Sequence, residues 1–254
     1  MNFFTPERIE KTRALVRDGK PFVFDDGDMR TLHFNEQVVQ SAMRLSAPDE
    51  LVIPYTQAMA GFLSMHPAPQ HILMIGLGGG SLVKYCYRHF PSARITVLES
   101  NADVLALRDQ FMIPADDARL HVLHVDAIAH MQKLAVGSVD VIMLDGFDAK
   151  GAPAALRSHE FFFNCQFVLA ERGVLITNMG DQYDNIVGTV TQGQLVFGAF
   201  HHWWFRVTTD NSHVAVAVCA IDDEASAASL RIAALDIAEQ SSLELVYPKN
   251  LASE

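Results

Sequence analysis

The sequence predicts an α/β fold: a doubly wound, mostly parallel sheet with an antiparallel C-terminal hairpin and a small N-terminal β-unit. Three observations carry that expectation. From residue 71 onward, short apolar stretches alternate with stretches of helical spacing. Each short stretch is apolar at nearly every position, which suits a parallel strand covered on both faces. The first of them, HILMI, runs directly into the glycine-rich GLGGG and then into a helix, the order expected at a ligand-binding strand end.

The elements follow in order. Residues 5–18 (TPERIEKTRALVRD) predict a helix, with Thr5 as N-cap, Pro6 at the first helical position and Gly19 past the end. Phe22–Phe24, the turn at 25–28, Met29–Phe34, the turn Asn35-Glu36 and Val38–Ser41 predict a small β-meander. Residues 54–65 (PYTQAMAGFLSM) are apolar at helical spacing. Strands are expected at His71–Ile75, Arg94–Glu99, Leu120–Val125, Val139–Leu144 and Gly173–Asn178. Helices are expected from Ser81 to about His89, onward to Gln110, from Asp126 to Leu134, and around Ser158–Ala170. Trp203–Thr208 and His213–Ala220, joined by Thr209-Asp210-Asn211-Ser212, predict an antiparallel hairpin, and a helix over about 223–240 closes the chain. Two units are expected: residues 1–53, a helix with the meander, and residues 54–254, the ligand-binding catalytic domain.

Composition narrows the function. Half of the 254 residues are hydrophobic, enough for a sizeable core. With 19 basic and 30 acidic side chains the formal charge is −11, which argues against a nucleic-acid partner and is easier to reconcile with a cationic ligand. The three cysteines, Cys86, Cys165 and Cys219, are far apart and form no CxxC pair, so neither a disulfide framework nor a cysteine-rich zinc site is expected. The chain start mixes charges, and no apolar run approaches the ~18 residues of a membrane span. A cytoplasmic protein with no membrane partner is the expectation.

Four features fall at predicted strand carboxyl ends: the glycine loop, Glu99, Asp126 and Asp145. Gly76, Gly78 and Gly80 let the chain turn tightly and let a ligand approach the backbone. Nicotinamide dinucleotide enzymes favour G-x-G-x-x-G, but the sixth position here is Ser81. The pattern G-x-G-x-G, which this loop satisfies, belongs to S-adenosylmethionine enzymes. Three acids after three successive strands favour the sulfonium ligand over the dinucleotide. A single such acid is as readily explained as a helix cap.

The runs HILMIGLGGGSL, VLES, HVDAIAHM and VIMLDGFDAKGAP resemble the spermidine/spermine synthase family of polyamine aminopropyltransferases, over about residues 29–180. The most specific element is the pair Asp145 and Asp148 followed by Gly151 and Pro153. The resemblance implies a Rossmann-like fold of the class I S-adenosylmethionine-dependent methyltransferase kind. It implies a transferase that moves an aminopropyl group from decarboxylated S-adenosylmethionine to a putrescine-like amine, releases methylthioadenosine, uses no metal and forms a homodimer. By the same resemblance Glu99 binds the ribose hydroxyls, Asp126 the adenine amino group, and Gln40 lies over the cofactor beside Gly76, Gly78 and Gly80. Asp145 takes the place of the catalytic acid, and Asp148 and Tyr55 grip the amine.

The chain departs from the family pattern at several positions. Gly79 stands where the loop usually carries an Asp that meets the donor's amino group, Gly146-Phe147 replace Ser-Ser, and Ala149 replaces Pro. Asn211, Ser212 and His213 stand where a late loop carries tyrosine. Two alternatives therefore stay open: a small-molecule methyltransferase using intact S-adenosylmethionine, and a non-catalytic nucleoside-binding relative. Of the remaining residues, His121, His124 and His130 do not share one face and lack a completing ligand, so no metal site is expected. His201-His202-Trp203-Trp204-Phe205 and Phe161-Phe162-Phe163 read as core or contact aromatics, one phenylalanine lying near the site mouth, and Cys86 and Cys165 as buried small hydrophobes.

Overall fold

The computed structural model describes residues 5–16, 19–36, 38–198, 201–219, 224–241 and 243–245. Residues 17, 18, 220 and 223, expected at the ends of elements, lie outside the described residues. Helix α1 (Pro6–Arg13) is capped by Thr5, whose side chain accepts from Arg8 N. Strands β1 (Phe22–Asp26), β2 (Met29–His33) and β3 (Val39–Arg44) make the three-stranded antiparallel meander. Asp26 pairs with Met29, leaving a two-residue turn in which Gly27 takes φ +60°, a conformation such hairpins require. Helix α2 (Pro54–Gly61) continues as a 3₁₀ turn, Phe62–Met65.

The large sheet holds β4 (His71–Ile75), β5 (Arg94–Glu99), β6 (Leu120–His124), β7 (Val139–Leu144), β8 (Leu169–Gly180), β9 (His202–Val207), β10 (His213–Val218) and β11 (Leu243–Leu245). Its order is β11-β9-β10-β8-β7-β4-β5-β6. The chain moves outward from β4 to β6, then returns to the other side of β4 for β7 and β8, all five strands being parallel. The order therefore reverses between β4 and β7, the position at which open α/β sheets bind ligands. Strand β10 runs antiparallel to β8, and β9 antiparallel to β10.

Helices α3 (Ser81–His89), α4 (Ala102–Leu105), α5 (Ala127–Met131), α6 (His159–Val168), α7 (Tyr183–Phe197) and α8 (Glu224–Gln240) complete the fold. Alternate residues of the central strands feed two cores. Ile72, Met74, Val141 and Met143 pack with Met59, Phe62 and Val83 on one face. Leu73, Ile75, Ile142 and Leu144 pack with Phe161, Phe162 and Val168 on the other. Two-sided burial explains why these strands read as unbroken apolar runs. Each large side chain buried this way contributes about 1.5–3 kcal/mol.

Several expected boundaries are corrected. The helix after β5 ends at Leu105, not Gln110. Beyond it the chain turns, Met112 adopts φ +53°, and Phe111 swings inward to complete burial. Helix α5 stops at Met131, and Lys133 N and Leu134 N close turns onto His130 O and Met131 O. Strand β8 begins at Leu169 and runs to Gly180, longer than expected, and α1 is shorter. Helix α7 and strand β11 have no counterpart in the sequence-based expectation. Helix α7 has Gln182 at its N-cap with no side-chain cap bond and carries Gly188 and Gly193, so neither start signal nor propensity marks it.

Candidate active site

The switch point is built first by glycines. Gly76, at the end of β4, has φ +95°, and a Cβ there would lie 2.2 Å from Asp145 O. Only glycine lets the ends of β4 and β7 lie against each other. The loop is closed by Gly76 N donating to Leu98 O at 2.9 Å and Gly80 N to Leu77 O at 2.8 Å. Glu99, buried at the end of β5, anchors it further. One carboxylate oxygen accepts from Leu77 N at 2.9 Å and the other from Asn101 N at 2.7 Å.

Asp145 follows β7 at the centre of the edge. The Tyr55 hydroxyl, from α2, donates to its Oδ2 at 3.2 Å. Asn178 Nδ2, from β8, donates to its Oδ1 at 2.9 Å. Asn178 is itself oriented, because its Oδ1 accepts from Gly180 N at 2.9 Å. Burial raises the pKa of Asp145 above the ordinary carboxylate value, opposed by the bonds from Asn178 and Tyr55. Burial and the adjacent Asp145 hold Tyr55 well above the ordinary phenol value. Tyr55 thus stays a donor, and Asp145 is a fixed carboxylate with raised proton affinity.

A cavity of about 800 Å³ opens along this edge. Gln40, Tyr55, Gly76, Gly78, Glu99, Asp145 and Asp148 line it, so seven of the residues singled out in the sequence converge. Two do not line it. Gly80 backs onto Ile113, whose side chain lies 2.5 Å from where a Cβ would be. Asp126 is exposed and caps α5, accepting from Ala129 N at 2.9 Å. Asp148 forms a tight turn: its Oδ1 accepts from Lys150 N at 2.6 Å, and its backbone exchanges hydrogen bonds with Gly151.

Sequence reasoning missed Asn178, Phe147, Lys150, Asp181 and Asp210, which also line the cavity. The strand-end rule that singles out Asp145 applies equally to Asn178, the last residue of its predicted strand. The ring at the site is Phe147, whereas Phe163 is exposed on α6 and outside the lining. Trp203, Trp204 and Phe205 are buried core residues, as are Cys86 and Cys165. At Gly79, a Cβ would lie 2.7 Å from Ser41 Oγ and 2.8 Å from the Phe111 ring. Those side chains occupy the space an acid would need. Among the described residues no group of three His, Cys, Asp or Glu side chains could hold a metal, and no helix is long and apolar enough to cross a membrane.

Comparisons with known proteins bear on the family and the fold. Residues 53–191 match the model of the spermine/spermidine synthase domain. A polyamine aminopropyltransferase of Chromobacterium violaceum is 36% identical over 157 residues, 61% of this chain and 60% of that protein. The chain's match thus spans about three fifths of that relative's length. The crystal structure of a probable spermidine synthase from Corynebacterium glutamicum superposes with TM-score 0.68 at 20% identity, covering 87% of this chain and 90% of that one. Human methyltransferase-like protein 13, solved in complex with SAH, superposes with TM-score 0.60 at 22% identity, covering 75% and 92%. Both likenesses establish the α/β Rossmann-like fold.

Proposed function

The chain belongs to the spermine/spermidine synthase domain family, and from that premise we propose that it is a transferase moving an aminopropyl group from a decarboxylated S-adenosyl donor to an amine. The observation that carries the reading is Asp145: a partly buried carboxylate at the switch point, held by Tyr55 and Asn178 and lining the same cavity as Gly76 and Gly78. The residues suit such a donor. Gly76 and Gly78 present backbone without Cβ atoms, and both oxygens of Glu99 have acceptor capacity beyond the bonds they make. We assign Glu99 to the ribose hydroxyls, Gln40 to the face of the donor and Asp126, at the neighbouring strand end, to the adenine amino group.

When bound, the donor presents a CH₂ on sulfonium; attack by an amine nitrogen forms N–C, breaks C–S and leaves the electron pair on sulfur as methylthioadenosine. The residues of the chain prepare the nucleophile. An alkylamine arrives protonated, with a pKa of roughly 10. Asp145 attracts the ammonium, orients it and accepts its proton, help worth ~10²–10⁴-fold in rate. Tyr55 and Asn178 keep the carboxylate from rotating. Alignment of amine and donor supplies much of the remaining acceleration. A homodimer, implied by the family resemblance, belongs to the same reading and is checked by sedimentation.

Incubation with decarboxylated S-adenosylmethionine and a panel of amines is expected to release methylthioadenosine, and Asp145→Asn to lower kcat by ~10²–10⁴-fold. Absence of turnover with every amine overturns the reading. A second reading, methyl transfer from intact S-adenosylmethionine, is favoured by Gly79, whose surroundings leave no room for a donor-binding acid. Calorimetry with the two donors separates them, since preference for the carboxylated form supports methyl transfer.

A further inference from the structure

We propose that the turn at residues 110–113 sets the glycine loop in its ligand-binding form, with Phe111 and Lys84 as positioning residues for the donor. The assignment rests on one part of the preceding reading, that an adenosyl group sits on that loop.

The loop has two faces. Gly76, Leu77, Gly78 and Ser81 line the cavity, whereas Gly79 and Gly80 lie outside the lining. These two meet the turn instead. A Cβ on Gly79 would lie 2.8 and 3.0 Å from two carbons of the Phe111 ring, and one on Gly80 2.5 Å from the Ile113 side chain. Both of those side chains are buried. Gly79 is not among the glycines of positive φ, so close approach rather than backbone conformation requires glycine there.

The turn is held by side chains from other elements. Met112 N donates to Asp109 O at 3.1 Å and Ile113 N to Arg108 O at 3.2 Å, with Met112 at φ +53°. Arg30 Nη1, from β2, donates to Gln110 O at 2.6 Å. Lys84 Nζ, from α3, donates to Phe111 O at 2.8 Å and to Met43 Sδ, on β3, at 2.9 Å. Lys84 is 4% exposed, so its ammonium has left water and the Phe111 carbonyl compensates it. Burial lowers its pKa to about 8. Lys84 N also donates to Gly80 O at 2.9 Å. One residue is thus bonded to the loop through its backbone and to the turn through its side chain. Displacing the turn would free the back of the loop, and the backbone facing the donor would move with it. A misplacement of about 1 Å is enough to cost ~10²-fold in rate.

The test is calorimetric titration of methylthioadenosine into wild type and variants, with circular dichroism as the check on folding. Gly79→Ala is expected to weaken binding about tenfold or more. The other neighbour of the added methyl, the Ser41 hydroxyl at 2.7 Å, can turn away about one bond, whereas the packed Phe111 ring cannot. Adding Phe111→Leu should therefore recover most of the loss, a coupling expected only of residues in contact. Lys84→Met is expected to raise the donor KM about tenfold and to leave the acceptor KM within about twofold; a general loss of stability would not produce that split. Binding unchanged in Gly79→Ala, or a loss that Phe111→Leu does not relieve, overturns the assignment even if Lys84→Met fails to fold. Methylthioadenosine binding without turnover of any amine overturns aminopropyl transfer and leaves this assignment standing. Wild-type protein that binds no methylthioadenosine overturns both.

Discussion

Asn178 shows how much a single amide can control. Its Oδ1 is taken by Gly180 N, so its Nδ2 has one direction left, toward Asp145 Oδ1. That bond favours the ionised carboxylate and lowers a pKa that burial raises. Asn178→Ala removes a hydrogen bond to a charged group, worth about 1.5–3 kcal/mol. kcat/KM is therefore expected to fall roughly 10–100-fold. The acid limb of its pH profile should also move upward, because Asp145 must lose its proton to act as base. A merely structural residue would leave that limb in place. Glu99 illustrates the same economy, since the carboxylate assigned to the ribose also ties down Leu77 N and Asn101 N.

At the scale of elements, the loop after β4 works because two strand ends touch. A methyl group at Gly76 would sit 2.2 Å from Asp145 O, whereas one at Gly27 meets nothing within 4 Å. Both positions have positive φ, so both substitutions to Ala carry the left-handed penalty of about 1–2 kcal/mol. Gly76→Ala must in addition push β4 and β7 apart. In urea titrations Gly27→Ala is expected to lose about 1–2 kcal/mol, and Gly76→Ala clearly more, with loss of methylthioadenosine binding. Equal losses in the two variants would show that the strand contact is not tight. Asp126 belongs to this scale too, as it caps α5 whatever else it does.

Over the whole molecule, buried histidines tie stability to pH. Burial between α7 and the sheet depresses His202 to about 4, and burial lowers His33 and His71 as well. The unfolded chain takes up these protons near pH 6.5, whereas the folded chain holds off the one on His202 until about pH 4. Stability should therefore rise with pH between about 4 and 6.5, by up to ~3 kcal/mol from His202. Asp145 acts in the opposite sense, since its raised pKa favours the folded state in acid. Denaturant midpoints across this pH range check the sign, and His202→Phe should flatten the slope. Much of this architecture is legible in the residue order. The alternation of strands and helices, the glycine loop and the acids at strand ends follow from local periodicity and from the parity of buried strands, which a linear pattern records. The pattern also singles out seven of the residues that line the cavity. It does not reveal α7, which lacks a cap, nor the space beside Gly79, which Phe111 fills from 32 residues away. It does not place Asn178 against Asp145, because that contact is set by the order of β7 and β8 in the sheet. Local spacing determined which groups stand at strand ends; only three-dimensional packing decided which of them meet, since contact between distant segments depends on how the sheet is wound.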